Sequence, residues 1–127
     1  MKVHVKEMIE VDADGLAEIY DDDKNHSQFQ HRFMKALRDK KTWLSPAHAC
    51  LDVHLFTMLS DVVSPKVENY FIEAGANNGL RQSNTFVFEQ IFGWKGLLVE
   101  PVTYNYEKCR IYRNKETKCV HGCLSFY

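Results

Sequence analysis

The sequence lacks any long apolar run. Charged residues interrupt the apolar segments throughout the 127-residue chain. No stretch approaches the roughly 20 apolar residues that a helix needs to cross a bilayer. The first residues, MKVHVKEMIEVDADG, carry acids where a signal peptide has its apolar segment. We therefore expect no membrane-spanning segment, no export and a cytoplasmic location.

An excess of charge of either sign is also absent. Sixteen Lys and Arg stand against seventeen Asp and Glu, which gives a formal net charge of -1. No stripe of basic residues alternates with aromatic ones, as it would in a surface that follows a phosphate backbone. The composition therefore argues against nucleic acid as a partner.

Cysteine is present but matches no known framework. The four residues, Cys50, Cys109, Cys119 and Cys123, do not have the spacing of a small disulfide-rich secreted domain, which favours reduced thiols. Cys119, His121 and Cys123 alternate along a predicted strand, but the outer two would lie about 13 Å apart at ~3.3 Å per residue, too far to share a metal. We expect no metal site.

The first half of the chain, residues 1–64, reads as a helical region. Residues 1–24 predict a weakly structured, acidic lead-in. A serine followed three residues later by glutamine, before an apolar stripe, predicts a helix over about 28–41. Ser45–Pro46 has a capping hydroxyl before a proline, which predicts a second helix over about 46–60.

The second half, residues 65–127, has a different pattern. Short apolar runs alternate with amphipathic segments of helical length, which is typical of parallel strands joined by crossover helices. The sequence therefore predicts an α/β fold with three parallel strands. The predicted elements are strands over 70–74, 97–99 and 118–124 and helices over about 84–92 and 103–112.

The clearest motif is FIEAGANNG at residues 71–79. It places glycines after a strand, where a side chain would block the close approach of a ligand. The spacing from Gly75 to Gly79 is not the G-x-G-x-x-G of dinucleotide enzymes, and four residues separate it from the next helix, so a pyrophosphate at the helix N-terminus fits poorly. A tight turn without a ligand is the alternative, because such domains need glycine there anyway.

A second acid strengthens the case for a ligand. Glu100 follows Gly79 by 21 positions, at the end of the adjacent predicted strand, where a carboxylate can accept both hydroxyl protons of a ribose. Glu73, at the end of the first strand, suits an amine or another cation. Two acids and a glycine turn facing one crevice indicate a nucleoside with a positive centre and an amino acid part, as in S-adenosylmethionine.

Residues 70–125 also resemble a known family. The specific parts are the I-E-x-G-A-N-x-G turn, the Q-S-N-T before the helix, the G-W-x-G-L-L-V-E-P strand and the G-C-L-S after the third strand. Together they resemble the first half of the FkbM-type methyltransferase domain, and they are especially similar to its version in the animal Star-like proteins.

The resemblance implies a Rossmann-like methyltransferase fold that binds S-adenosylmethionine and methylates a hydroxyl of a small molecule or sugar. It identifies no catalytic residue. Carried over by position, the resemblance assigns the methionine and ribose side to Glu73, Gly75, Ala76, Asn77 and Gly79. It assigns the ribose hydroxyls to Glu100. It assigns the adenine side to Cys123, Leu124 and Ser125.

The resemblance further implies that the domain is incomplete, since the later strands and the acceptor site of the family would come after residue 127. The strand over 70–74 would then keep an apolar edge for the N-terminal helices or a protein partner to cover. Two functions stay open. One is a truncated methyltransferase, active or inactive; the other is a non-catalytic Star-like module in secretory or endosomal trafficking, at the endoplasmic reticulum, Golgi or endosome.

Overall fold

A computed structural model describes residues 4–11, 26–60 and 68–125. In chain order the elements are β1 (Glu7–Glu10), α1 (His26–Lys35), β2 (Thr42–Ser45), α2 (Leu51–Leu59), β3 (Tyr70–Ala74), α3 (Phe86–Gln90), β4 (Lys95–Glu100), α4 (Thr103–Tyr112) and β5 (Lys118–His121). A π-helical turn, Ala36–Lys40, extends α1, and a 3₁₀ turn, His48–Cys50, precedes α2.

The N-terminal half contains a small sheet that the sequence did not predict. β1 and β2 pair in parallel, with Ile9 opposite Leu44. β1 lies in the expected acidic lead-in, of which residues 1–3 and 12–24 fall outside the described part of the chain. Strands of four residues give too short an alternation to stand out beside a strong helical stripe.

The two predicted helices of this half are present with altered bounds. α1 with its π-helical turn covers nearly all of the predicted 28–41. The second helix begins at Leu51 rather than near 46, because Ala49 and Cys50 have φ angles of 51° and 54°. That left-handed backbone cannot continue a right-handed helix.

The C-terminal half forms the predicted parallel sheet, in the order β3-β4-β5. Ser83 precedes α3 and its Oγ accepts the Phe86 N–H at 3.1 Å, but the helix covers only Phe86–Gln90 of the predicted 84–92. Gly93 ends that region with a φ of +70°, as expected of a glycine after a helix. β5 stops at His121 instead of Leu124. The chain is therefore a mixed α/β protein with parallel strands in two small sheets.

The three-stranded sheet has two unlike faces. The inner face carries Phe71 and Leu98, which are buried with Cys109 of α4 in one apolar cluster. The outer face carries Tyr70 and Ile72, which are largely exposed. A second cluster, rich in aromatic rings, joins the N-terminal half to α3 through Phe29, Phe33, Trp43 and Phe86.

The helices are short. Within the ranges 4–11, 26–60 and 68–125, none has the length and apolar character needed to span a membrane.

Candidate cofactor site at the glycine turn

The glycine turn and Glu100 meet at one edge of the sheet. β3 and β4 run parallel with Ala74 opposite Val99, so both carboxyl ends reach the same edge. The Asn77 N–H donates to the Glu100 Oε2 at 2.8 Å. The structure thus brings together the two features that the sequence placed 21 positions apart.

The backbone of the turn folds back over β4. Gly75 and Ala76 both donate their N–H groups to the Val99 carbonyl, at 2.8 and 3.1 Å. This path requires left-handed conformations at Gly75, Asn77 and Gly79, whose φ angles are +72°, +53° and +85°. Glycine adopts such angles without strain, and asparagine tolerates them better than most residues.

The two glycines differ in what surrounds them. A Cβ added at Gly75 would meet no atom within 4 Å, whereas one added at Gly79 would lie 3.1 Å from Arg113 Cγ and 3.2 Å from Cys109 Cα. Gly79 is therefore needed for close packing against α4. Gly75 borders open space, which a ligand could approach.

Glu100 is oriented for hydroxyl recognition. Its Oε2 accepts the Asn77 N–H, and its Oε1 accepts the Val102 N–H at 2.9 Å. A carboxylate oxygen has two acceptor positions, so each oxygen keeps one for a further donor. The side chain is buried, which fixes its direction. These features fit the paired hydroxyls of a ribose.

Glu73 has a different environment from the one expected. It lies on the inner face, two residues from Phe71, because side chains alternate along a strand. Its Oε2 accepts hydroxyl protons from Ser83 at 2.9 Å and Thr85 at 2.5 Å, and its Oε1 accepts the Asn84 N–H at 2.8 Å. The carboxylate therefore holds the following loop and does not face the open space at Gly75.

The other turn residues divide between core and surface. Ala76 is buried with Phe71 and Leu98, so its side chain belongs to the core. The Asn77 side chain is half-buried. The Asn78 Oδ1 accepts the N–H groups of Leu80 and Arg81, at 3.0 and 2.7 Å, which stabilises the turn locally.

The segment after β5 reaches the same edge. The Gly122 N–H donates to the Glu100 carbonyl at 3.1 Å, and Cys123, Leu124 and Ser125 follow as exposed residues. Leu124, the second residue after Gly122, is 69% exposed. The assignment of Cys123, Leu124 and Ser125 to an adenine side, made from the family resemblance, stays a prediction.

Two features of this region escaped the sequence analysis. His121 and Tyr106 stack with ring centroids 5.0 Å apart, and the His121 Nε2 lies 3.0 Å from the Pro101 carbonyl, to which it donates as Nε2–H. Arg113 is buried against Glu89. Its carboxylate partners, Glu89 and Glu73, lie 24 and 40 positions earlier in the chain, so no local pattern indicates them.

The fold and the site define a parallel α/β protein with a glycine turn and a buried carboxylate at the carboxyl edge of its sheet. Comparison with known proteins adds no family to this description: no protein-family model matches the chain, and no significant match was found among curated proteins or solved structures.

Proposed function

We propose that residues 65–127 form the cofactor-binding part of an S-adenosylmethionine-dependent methyltransferase domain of FkbM type, with a Rossmann-like fold. The reaction would be methyl transfer to a hydroxyl of a small molecule or sugar. The observation that carries the proposal is Glu100, a buried carboxylate with one spare acceptor position on each oxygen.

The nucleoside half of the cofactor fits these residues. Glu100 would accept the two ribose hydroxyls, and the open space at Gly75 would admit the sugar close to the backbone. The exposed Leu124 beside this edge would contact the adenine ring. Each role uses an atom or a surface that the protein itself leaves available.

The amino acid half would be recognised differently from the first expectation. Glu73 already accepts three hydrogen bonds within the protein, so it would not bind the amine. Asn77 is the better candidate, because its side-chain amide lies in the turn and can both donate to a carboxylate and accept from an ammonium group. When bound, the cofactor supplies the electrophilic methyl group, and these residues orient it.

Calorimetric titration with S-adenosylmethionine tests the proposal. We expect the wild type to bind and Glu100→Gln to bind at least tenfold more weakly, because the amide replaces one acceptor oxygen by a donor. Glu73→Gln serves as the contrast, since it should lower the melting temperature more than the affinity. A folded wild type that releases no heat at millimolar cofactor would reject the proposal.

Two glycines give a matched pair of variants. Gly75 and Gly93 have nearly equal φ angles, +72° and +70°, and a Cβ at either would meet no atom within 4 Å. Gly75→Ala and Gly93→Ala therefore introduce similar strain, but only the first places a methyl group at the proposed site. We expect Gly75→Ala alone to weaken cofactor binding.

A second function has one observation in its favour. The Glu73 carboxylate accepts its hydrogen bonds from groups of the protein itself. The turn therefore also suits a scaffold that has lost its ligand, as in a non-catalytic Star-like module of secretory or endosomal trafficking. The edge of β3, which pairs only with β4 among the described residues, would then pair with a protein partner. The enzyme would be cytoplasmic, and the module would lie at the endoplasmic reticulum, Golgi or endosome.

Fluorescence microscopy of the tagged chain, combined with the titration, separates the two functions. Endosomal or Golgi location together with absent cofactor binding would support the trafficking module. Diffuse cytoplasmic signal with binding that depends on Glu100 would support the enzyme.

A further inference from the structure

Arg113 is a buried cation that contacts three separate segments. Its side chain is 0% exposed. The Nε donates to the Glu89 Oε2 at 2.8 Å, Nη1 donates to the Gly79 carbonyl at 3.2 Å, and Nη2 donates to the Thr85 Oγ1 at 3.1 Å. One guanidinium thus ties α3, the glycine turn and the loop after it to the end of α4.

The charge of Arg113 is balanced within the core. Glu89, fully buried, pairs with it directly, and the Glu73 Oε2 lies 3.7 Å from its Nη1. Thr117 donates its hydroxyl to the Glu89 Oε1. Among the described residues no buried side-chain nitrogen or oxygen lacks a hydrogen-bond partner. A network of this kind, fully satisfied, favours one arrangement of the segments it joins.

The contact with Gly79 fixes the far end of the glycine turn. At the near end, Gly75 and Ala76 donate to the Val99 carbonyl, and Asn77 donates to Glu100. At the far end, the Gly79 carbonyl accepts from Arg113. β4 and Glu100 therefore hold the start of the turn, from Gly75 to Asn77, and Arg113 holds its end at Gly79.

Lysine could not make the same contacts. The three Arg113 nitrogens point to different acceptors in a fixed planar fork, whereas an ammonium group is a single point of charge on a flexible stem. A lysine at 113 could neutralise Glu89 but would leave the Gly79 carbonyl or the Thr85 hydroxyl without its donor.

We propose that Arg113 is a positioning residue that holds the glycine turn in its ligand-binding shape through the Gly79 carbonyl. The proposal rests on the cofactor-binding function proposed above, in that the shaped turn is taken to be the cofactor site. Arg113 itself, buried on the inner face, does not contact the ligand.

The test compares Arg113→Lys with Phe33→Leu, a variant in the aromatic cluster of the other half. Both lower stability, so they are compared at temperatures equally far below their melting points. We expect Arg113→Lys to weaken S-adenosylmethionine binding at least tenfold and to speed hydrogen exchange of the Asn77 and Gly79 amides by a similar factor. Phe33→Leu should change neither by more than about twofold.

Equal effects of the two variants, or turn amides as protected in Arg113→Lys as in the wild type, would overturn the proposal. The exchange measurement needs no cofactor. If the wild type fails to bind, the proposed function fails, while the exchange rates still report whether Arg113 fixes the turn.

A measurement on the wild type covers the case in which Arg113→Lys does not fold. The Arg113 Nε–H, bonded to Glu89 in the core, should give an NMR signal that exchanges with water as slowly as buried amides. Exchange as fast as that of the exposed Arg38 would contradict the proposal, because the guanidinium would then not hold the turn.

Discussion

The two faces of the three-stranded sheet carry similar apolar residues that differ in their exposure to solvent. On the inner face, Phe71 and Leu98 are 7% and 1% exposed, whereas Tyr70 and Ile72 on the outer face are 58% and 67% exposed. Phe71 lies between Tyr70 and Ile72 on β3, and Leu98 lies on the neighbouring β4. The difference therefore comes from what covers each face and not from composition.

The covering of the inner face is built by the chain itself. Cys109 of α4 packs against Phe71 and Leu98, and the Arg113 guanidinium lies 5.3 Å from the centroid of the Phe71 ring. Parallel sheets are usually covered on both faces. Because Tyr70 and Ile72 are largely exposed, β3 should contribute to stability mainly through its inner side.

The largest expected effect is a contrast between two neighbouring residues of β3. Phe71→Ala removes a buried ring and should lower the free energy of unfolding by about 3 to 5 kcal/mol. Ile72→Ala removes a mostly exposed side chain and should change it by only about 0.5 kcal/mol. Urea denaturation of both variants measures the two values.

Similar losses of unfolding free energy in the two variants would contradict the expected difference between the faces, since the outer face would then have to be covered in solution. A Phe71→Leu variant controls for the loss of aromatic contact with Arg113. It keeps much of the volume and should lose clearly less stability than Phe71→Ala.

A smaller effect is expected from adding atoms to the inner face. Gly96 lies opposite Phe71 in β4, and a Cβ there would be 2.3 Å from the Phe71 ring. Gly96→Ala should therefore force the ring to move and cost about 1 to 3 kcal/mol.

The double variant Gly96→Ala with Phe71→Leu provides the control. The smaller side chain relieves the clash, so the cost of Gly96→Ala should fall in that background. Thermal unfolding of the four proteins in this cycle would show additive effects if the clash is absent.

The N-terminal half also contains a buried ionisable side chain, Asp52, whose surroundings differ from those of Arg113. Arg113 faces the inner carboxylates. Asp52 is fully buried, and its donors in the described part of the chain are neutral: Ser45 at 2.6 Å, Trp43 at 3.2 Å and the Val53 N–H at 2.8 Å. Burial raises the pKa of Asp52, and these hydrogen bonds only partly oppose it. The folded protein thus holds the Asp52 proton more tightly than the unfolded chain.

This raised pKa sets the sign of a pH effect. Its contribution to stability is full below the unfolded aspartate pKa of about 3.9 and is lost as the pH rises through the higher folded value. The melting temperature of the wild type minus that of Asp52→Asn should therefore fall from pH 4 upward. A difference that grows with pH would mean that the site stabilises the charged carboxylate.

The sequence could predict those parts of the fold that depend on local pattern. β3 and α4 were predicted with their observed bounds, because a compact apolar run and a helical stripe are each bounded by clear signals. β1 and β2 were missed because they are short and their pairing joins segments 35 positions apart, with Glu7 opposite Thr42. Such pairing between distant segments leaves almost no local signal.

The candidate site shows the same division. Glu100 and the glycine turn were placed together correctly, since parallel strands bring their carboxyl ends to one edge. The environment of Glu73 was not predicted, because the sequence does not reveal that Ser83, Asn84 and Thr85 return to bind it. Arg113 was missed for the same reason, since its partners lie 24 to 40 positions earlier in the chain.

The smallest expected effect concerns the rate at which buried and exposed cysteines react with an alkylating reagent. Burial raises the pKa of Cys109 to about 12, so its thiolate fraction at pH 8 should be on the order of a thousandfold below that of an ordinary cysteine of pKa ~8.5. Cys119, half-buried on the inner face, has its pKa raised by burial as well, whereas Cys123 is exposed. Iodoacetamide followed by peptide mass mapping should label Cys123 first, Cys119 more slowly and Cys109 only as fast as the protein unfolds. Early labelling of Cys109 in a folded Cys123→Ser variant would show that α4 leaves the inner face, and the contrast between the faces would then not hold in solution.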